Sequence, residues 1–332
     1  MIIDTHAHYC PPALFDDLKR QADRFPNVSL IEQDGRFRFA FMGGAPTRPL
    51  LPKLIDLEQR RTWMRDQGID HQVYGGWLDM FGYELPADEG EAWNRFLTGH
   101  LAAAADAAPE FSALASVPLQ DGARAAAVLN DAMDQGLAGA MIGTQPFGSG
   151  GNLDDPQLDP FWQAASRREA VIYLHPLFGC PDDRLNDYGL QNAVGRGVDT
   201  TIALSRLICS GHLTRYPGMK LVVSHGGGAI PFMLGRLGRN AQIGDGLADP
   251  YAEFQQLYFD TVVFDPGALH FLIEASDVGK LMLGSDYPFP IGDHAPLGVI
   301  ERSNLNEVDT QAVLGGTAAR LFRLGEHAHE HG

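Results

Sequence analysis

The chain has 332 residues, and 25 Lys plus Arg against 42 Asp plus Glu give it a formal net charge of −17 at pH 7 with histidine neutral. Nucleic-acid binding needs clustered positive charge, so this balance argues against DNA or RNA as a partner. Hydrophobic residues make up 45% and charged residues 20% of the chain. These values are typical of a soluble globular protein rather than a disordered one.

The cellular location is indicated by segments that the sequence lacks. No apolar run reaches the roughly 18 residues that a membrane span needs. The chain enters Met1-Ile2-Ile3-Asp4 without the basic and apolar segments of a signal peptide. Its three cysteines, Cys10, Cys180 and Cys209, form no C-x-x-C pair, and an odd number does not suit a disulfide framework. We therefore predict a cytoplasmic protein with no membrane partner.

A short apolar, β-branched run followed by a longer stretch of helical period recurs along the chain, which is the pattern of βα units. Eight such units predict an α/β fold, a closed (β/α)8 TIM barrel, which takes about 250 residues before insertions. The predicted strands are Ile2–His6, His71–Gly75, Ala113–Val117, Gly139–Gly143, Ala170–His175, Lys220–His225, Leu257–Val262 and Lys280–Asp286. The predicted helices lie near Asp56–Gly68, Gly90–Ala107, Gly122–Gly136, Asp159–Arg168, Thr200–Tyr216, Ile230–Ile243, Pro266–Ser276 and Glu307–Leu324.

The excess length lies after the first strand, where about fifty residues precede the first helix, far more than a usual βα loop. Within them, Ser29–Gln33 and Arg36–Phe41 are joined by Asp34-Gly35, and an Asp-Gly pair suits a type I′ hairpin turn. We predict a small β insertion, at about residues 10–55, over the catalytic end of the barrel. Residues 1–325 are predicted to form one domain, and residues 326–332 a disordered tail.

Histidines and acids at the strand ends are the most informative residues, because the catalytic groups of such barrels lie at the C-terminal face. The first strand runs into His6-Ala7-His8, where alternation directs both imidazoles to one side. The fifth, sixth and eighth strands end in His175, His225 and Asp286. Any one of these residues alone is more simply a hydrogen-bonded side chain under a loop. Together they predict a shared site.

The residue types at these strand ends indicate a metal centre. Three neutral imidazoles with one carboxylate suit Zn²⁺ or a similar divalent ion. A second ion needs a bridging ligand, most naturally at the fourth strand end, where Ala140-Met141-Ile142-Gly143 offers none. We therefore predict one ion per chain. His225 is then free to take a proton from water on the ion or to pass one to substrate.

Four motifs together resemble the amidohydrolase superfamily, most closely its branch typified by aminocarboxymuconate-semialdehyde decarboxylase. They are Thr5-His6-Ala7-His8, His175-Pro176, Ser224-His225-Gly226-Gly227-Gly228 and Gly284-Ser285-Asp286-Tyr287-Pro288-Phe289-Pro290. The resemblance spans nearly the whole chain. It implies that His6, His8, His175 and Asp286 hold a catalytic zinc ion, with manganese as the alternative. It also implies that His225 is the acid/base residue beside the ion, and we expect His225 and Asp286 to be the catalytic residues that move the proton.

The same resemblance implies how substrate is bound. Arg48 and Arg236 are expected to bind substrate carboxylates, and the second is expected to reach the neighbouring subunit's site in a homodimer. Guanidinium groups bind carboxylates bidentately, although without the resemblance surface salt bridging is an equal alternative for both. Trp77, Phe178 and Phe289 are the aromatic residues expected to wall the pocket, with core packing as the alternative for Trp77.

The function predicted from these residues is non-oxidative decarboxylation. Leu177 and Phe178 stand where the decarboxylase branch carries a Trp-Asp pair, so we expect a related carboxylated aromatic or a ring-cleavage product of the muconate-semialdehyde type as substrate. A hydrolase or hydratase of a lactone, amide or C–C bond is the alternative, because the same ligand set activates water. A ligand-binding barrel without catalysis is a third reading, opposed by the presence of all five strand-end groups.

Overall fold

The computed structural model describes residues 1–148, 150–177 and 179–324. The strands in this part of the chain are β1 Ile3–Tyr9, β2 Val28–Gln33, β3 Arg36–Phe41, β4 His71–Gly76, β5 Phe111–Ala113, β6 Gly139–Gly143, β7 Val171–His175, β8 Lys220–Val223, β9 Tyr258–Asp260 and β10 Leu281–Met282. The α-helices there are α1 Ala13–Arg20, α2 Leu57–Gln67, α3 Ala87–Asp106, α4 Gly122–Asp134, α5 Asp159–Arg167, α6 Arg196–Cys209, α7 His212–Arg215, α8 Ile230–Ile243, α9 Pro250–Phe254, α10 Pro266–Ala275, α11 Leu297–Arg302, α12 Glu307–Gln311 and α13 Thr317–Phe322.

The barrel strands form two parallel ladders, β1-β4-β5 and β6-β7-β8-β9-β10. Two isolated parallel bridges join them, Ala115 with Ala140 on one side and Ala7 with Tyr287 on the other. The second junction is strengthened by a hydrogen bond from the Thr5 amide to the Leu283 carbonyl at 2.9 Å. The eight parallel strands therefore close on themselves, and the predicted TIM barrel is confirmed.

Local sequence signals account for the helix boundaries. The Asp56 carboxylate accepts a hydrogen bond from the Gln59 amide at the start of α2, and Gly68 ends that helix at φ 69°, a backbone conformation that glycine adopts without steric cost. Asp121 caps α4 in the same way. The predicted helix Thr200–Tyr216 is wrong in one respect: Gly211, at φ 70°, divides it into α6 and α7.

Strand boundaries also differ from the prediction. The strand predicted over Ala113–Val117 begins two residues earlier, at Phe111–Ala113. The strands predicted over Leu257–Val262 and Lys280–Asp286 are regular only over Tyr258–Asp260 and Leu281–Met282. After β5 and β10 the chain continues along its neighbours through single bridges, at Ala115 and Tyr287. At these two seams of the barrel the regular ladders therefore end earlier than the strands predicted from the sequence.

The hairpin after the first strand is present, with β2 and β3 paired antiparallel from Val28 opposite Phe41 to Gln33 opposite Arg36. Its inner face packs on the protein through Phe39 and Phe41, whose rings lie 6.0 and 5.9 Å from that of Trp93 on α3. The chain that follows the hairpin supplies Arg48 to the cavity at the C-terminal face. No helix in the described residues is both long and apolar enough to cross a bilayer.

Candidate metal centre and active site

The five strand-end groups predicted from the sequence meet at one place. His6 and His8 come from β1, His175 from the end of β7, and His225 and Asp286 from the turns that follow β8 and β10. The Asp286 Oδ1 atom lies 3.3 Å from His6 Nε2, 3.2 Å from His8 Nε2 and 3.8 Å from His175 Nε2. Its other oxygen, Oδ2, lies 3.5 Å from His225 Nε2. Three imidazoles thus surround one carboxylate oxygen.

The second ring nitrogen of each of three histidines is held by an acceptor. His6 Nδ1 lies 2.6 Å from Asp260 Oδ2, His8 Nδ1 lies 3.3 Å from the Gly76 carbonyl, and His175 Nδ1 lies 3.0 Å from the Pro176 carbonyl. A carbonyl oxygen only accepts hydrogen bonds, so Nδ1 must carry the proton in His8 and His175. The lone pairs of a neutral imidazole are then on Nε2, the atom that points into the cluster.

The geometry of these Nε2 atoms fits a bound cation. The Nε2 atoms of His6 and His8 are 3.3 Å apart, and His175 Nε2 is buried without a hydrogen-bond partner in the described residues. Lone pairs facing one another at this distance repel unless a cation lies between them. A tetrahedral ion with bonds of about 2.0–2.1 Å separates its ligand atoms by about 3.3 Å. The donor set therefore suits a divalent ion.

The electrostatics of the cluster favour the same conclusion. Burial disfavours the charged form of His6, yet the Asp286 and Asp260 carboxylates outweigh it and raise the His6 pKa to about 10. Burial would raise the pKa of Asp286, but the surrounding imidazoles hold it well below its ordinary value. Burial also lowers the pKa of His175 well below the ordinary value, which keeps this ring neutral. The two carboxylates thus favour a positive charge beside His6.

His225 differs from the other three histidines. Its side chain is 23% exposed, whereas those of His6 and His8 are fully buried, and it faces the cavity. Ligand atoms of His6, His175, His225 and Asp286 lie within 4.8 Å of one another, and this group has His225 in place of His8. The distance to Asp286 instead favours His8 as the ligand, because His8 Nε2 lies 3.2 Å from the nearer carboxylate oxygen and His225 Nε2 lies 3.5 Å from the other.

Two of these residues have unusual backbone conformations. His225 lies at φ 54° and Asp286 at φ 59°, in the left-handed region that residues with a Cβ rarely adopt. Such conformations cost of order 1 kcal/mol or more and persist where the surroundings enforce them, often at functional sites. Gly226, Gly227 and Gly228 continue the turn with positive φ angles. A Cβ on Gly226 would lie 2.5 Å from Val263, so this turn needs glycine for space as well as for conformation.

A cavity of about 930 Å³ opens from the cluster to the surface. Of the predicted substrate-binding residues, Arg48, Trp77 and Phe289 line it, and the Phe289 ring lies 5.0 Å from that of His8. Arg236 is exposed on α8 and lies outside the cavity walls formed by the described residues. Phe178 is outside the described part of the chain.

Three further residues of the site were not predicted from the sequence. Asp260, at the end of β9, orients His6 and accepts a hydrogen bond from Tyr173 at 3.1 Å. Arg60 on α2 is fully buried and donates to the His8 carbonyl. Arg196 at the start of α6 lines the cavity. An acidic residue in an apolar strand was a usable signal for Asp260, whereas nothing in the sequence distinguished the two arginines from surface residues.

Comparison with known proteins agrees with this geometry. Residues 3–324 match the family model described as Amidohydrolase. The chain belongs to the amidohydrolase family. The family resemblance inferred from the four motifs is therefore confirmed.

Several of the proteins that are similar to this amidohydrolase are named decarboxylases. A 2-amino-3-carboxymuconate-6-semialdehyde decarboxylase of Dictyostelium discoideum is 29% identical over 97% of this chain and 91% of its own length. The solved structure of 5-carboxyvanillate decarboxylase from Sphingomonas paucimobilis is 27% identical, covers 97% of this chain and 98% of its own, and has a TM-score of 0.78. A variant of 5-carboxyvanillate decarboxylase from Novosphingobium aromaticivorans, with bound manganese and 3-methoxy-4-hydroxy-5-nitrobenzoic acid, is 21% identical over 98% of this chain and 97% of its own, with a TM-score of 0.79.

Proposed function

We propose that this amidohydrolase is a metal-dependent, non-oxidative decarboxylase of a carboxylated aromatic compound or a muconate-semialdehyde type of ring-cleavage product. The observation that carries the proposal is the convergence of three Nε2 lone pairs on Asp286 Oδ1 at the base of a cavity that also holds His225. The named decarboxylases that match nearly the whole chain support the reaction class.

The proposed metal ligands are His6, His8, His175 and Asp286. His8 is preferred to His225 as a ligand because its ring is fully buried and its Nδ1 is held by the Gly76 carbonyl, which aims Nε2 at the cluster. Zinc is the proposed ion because it prefers nitrogen-rich sets of four ligands, and manganese is the alternative supported by the solved neighbour that contains it. When bound, a divalent ion supplies a positive charge that polarises substrate oxygens.

The chain's own residues account for the remaining steps. Breaking the bond to the carboxylate leaves an electron pair on the substrate carbon, and a proton must replace the CO₂ lost. His225 faces the cavity and lies 3.5 Å from Asp286 Oδ2, so it is the proposed donor of that proton, with Asp286 orienting its ring. Trp77 is 1% exposed and lines the cavity, and such apolar walls exclude water from the developing charge.

A homodimer is the proposed assembly, in which Arg236 reaches the cavity of the neighbouring subunit and binds a substrate carboxylate. The helix that carries Arg236 also exposes Phe232 at 84% and Ile243 at 68%, an apolar surface that a second copy would cover. Light scattering and an Arg236→Ala variant test this part: a dimer with weakened substrate binding supports it, and an active monomer contradicts it.

The decisive experiment measures CO₂ release. Purified protein with quantified zinc or manganese is incubated with 5-carboxyvanillate and with aminocarboxymuconate semialdehyde, in water enriched in heavy oxygen. Release of CO₂ without oxygen label in the organic product supports the decarboxylase. Labelled product without CO₂ contradicts it and supports the hydrolase or hydratase that shares the ligand set.

A further inference from the structure

The cavity contains a second guanidinium group whose surroundings differ from those of Arg48. The Arg48 Nε and Nη2 atoms donate to the two oxygens of Asp79 at 3.0 and 2.8 Å. This bidentate pair uses the edge of the guanidinium that best matches a carboxylate. The charge of Arg48 is therefore largely balanced within the protein before any substrate arrives.

The Arg196 guanidinium is held by backbone carbonyls and not by a carboxylate. Its Nη1 atom donates to the carbonyls of Pro176 and Leu177, at 2.8 and 3.2 Å. Those carbonyls follow His175, so the guanidinium is fixed beside the cluster of proposed metal ligands, which are His6, His8, His175 and Asp286. It lines the same cavity. Within the described residues, the hydrogen bonds of the Arg196 guanidinium use Nη1 alone, which leaves the Nε–Nη2 edge available to a ligand.

No carboxylate of the described residues forms an ion pair with Arg196. Asp199, one turn further along α6, is engaged instead by Thr144 and by Gln145, the latter at 2.9 Å. Burial and the nearby Arg48 lower the pKa of Arg196 from its ordinary value, and the Asp79, Asp286 and Asp199 carboxylates offset this lowering only in part. The guanidinium stays charged at neutral pH. A half-buried cation without a carboxylate in direct contact is costly, and an anionic group of the ligand would offset that cost.

The reaction itself indicates which anionic group this is. The carboxylate that leaves as CO₂ loses its negative charge in the transition state. A strong bidentate cation on that group would stabilise the substrate more than the transition state and slow the reaction. A retained acidic group keeps its charge throughout, so binding it to an arginine positions the substrate without this penalty.

We propose that Arg196 is a specificity-determining residue that binds a second, retained carboxylate of the substrate through its Nε–Nη2 edge. The inference rests on the proposed function and deepens it: the substrate is a dicarboxylated compound, with the leaving carboxylate beside His225 and the retained one at Arg196. Arg48, already paired with Asp79, has the lesser part in binding the retained group.

The test uses two inert ligands and metal-loaded protein. Binding of isophthalate, which has two carboxylates, and of benzoate, which has one, is measured by calorimetry for the wild type and for Arg196→Met. Hydrogen bonds to charged groups contribute enough to predict that the preference for isophthalate over benzoate falls about 10- to 100-fold in the variant. For a dicarboxylated substrate that is turned over, KM should rise by a similar factor with kcat changed less than about threefold.

Two further variants keep the result interpretable. Arg206→Met replaces an arginine of the same helix that pairs with Asp154 outside the cavity, and it should leave the preference unchanged. Arg196→Lys keeps a charge but not the bidentate edge, so an intermediate loss is expected, and this variant replaces Arg196→Met if the latter does not fold or loses its metal.

The outcomes separate the inference from the proposed function. Equal weakening of isophthalate and benzoate indicates that Arg196 only supports the loop after β7, and this result overturns the inference, as does an unchanged preference. If isophthalate selectivity depends on Arg196 but no CO₂ is released from any substrate, the proposed reaction is wrong while the carboxylate site stands.

Discussion

Two regions of this barrel bury histidine, and they do so with different consequences. In the cluster of proposed metal ligands, each of His6, His8 and His175 has its Nδ1 atom held by an acceptor while Nε2 converges on Asp286. On the outer layer, His212 of α7 is 1% exposed, and neither of its ring nitrogens has a hydrogen-bond partner in the described residues. Its ring packs edge-on against those of Trp162 and Tyr216, at 4.6 and 4.8 Å.

The difference shows that burial alone does not make a histidine a ligand. Burial removes both rings from water and lowers the pKa of His175 and of His212 alike. In the cluster, the fixed tautomers and the shared carboxylate give the buried rings a common target. At His212 the ring acts as a packing element between two aromatic side chains. The following predictions apply matched substitutions to the two regions.

The largest effect is expected from placing phenylalanine at both sites. His175→Phe removes one of the proposed ligands, so metal content should fall below one ion per chain and activity by at least about 1,000-fold, since the ion contributes several kcal/mol to catalysis. His212→Phe should keep its metal and its activity within about threefold. Elemental analysis and CO₂ release measure both. A fully metallated, active His175→Phe protein would contradict the assignment of the cluster.

The second effect is a dependence of the protein's unfolding free energy on pH that is caused by His212. Burial lowers its pKa in the folded protein from 6.5 to about 3. The unfolded chain therefore binds a proton that the folded chain does not, and a penalty grows as the pH falls from about 6.5 towards 3. At pH 4 it amounts to about 3 kcal/mol.

The His212→Phe variant is free of this penalty. Urea unfolding of the wild type and the variant at pH 7 and pH 4 should show their difference in unfolding free energy change by about 3 kcal/mol in favour of the variant. The proposed metal site is common to both proteins, so its own pH dependence cancels in the comparison. Parallel pH profiles would mean that His212 is protonated or solvated in the folded state.

The third effect concerns the partner that orients His6. Asp260→Asn keeps the shape of the side chain but removes the negative charge 2.6 Å from His6 Nδ1. Substitutions of such supporting groups weaken metal binding by about 10- to 100-fold. Asp265→Asn is the matched control, because Asp265 caps α10 and asparagine caps helices as well as aspartate does. Competition with a chelator measures both affinities, and equal values in the two variants would refute the supporting role.

The sequence was sufficient for the barrel and for the cluster because both depend on local patterns. Strand ends in a parallel barrel share one face, so His175 and Asp286 could be placed together without coordinates. The two seams of the barrel could not be predicted, because the bridges Ala115–Ala140 and Ala7–Tyr287 depend on closure. Arg196 was missed for a related reason: its contacts with the chain after β7 join segments whose juxtaposition has no local signature.

The smallest effect is expected at Tyr173, which is one contact further than Asp260 from the proposed metal site. The Tyr173 hydroxyl donates to Asp260 Oδ2 at 3.1 Å, and this bond supports the carboxylate that in turn holds His6. Tyr173→Phe removes one hydrogen bond to the Asp260 carboxylate. A hydrogen bond to a charged group contributes about 1.5–3 kcal/mol, and because only part of this energy is transmitted through His6, we expect about a fivefold loss of metal affinity. Tyr216→Phe removes a comparable hydroxyl, bonded to Asp159 at 2.7 Å beside His212, and should leave metal affinity unchanged. Because Tyr173 acts only through Asp260, Tyr173→Phe should have no further effect in an Asp260→Asn background. Additive losses in the double variant would show instead that Tyr173 reaches the ion by another route.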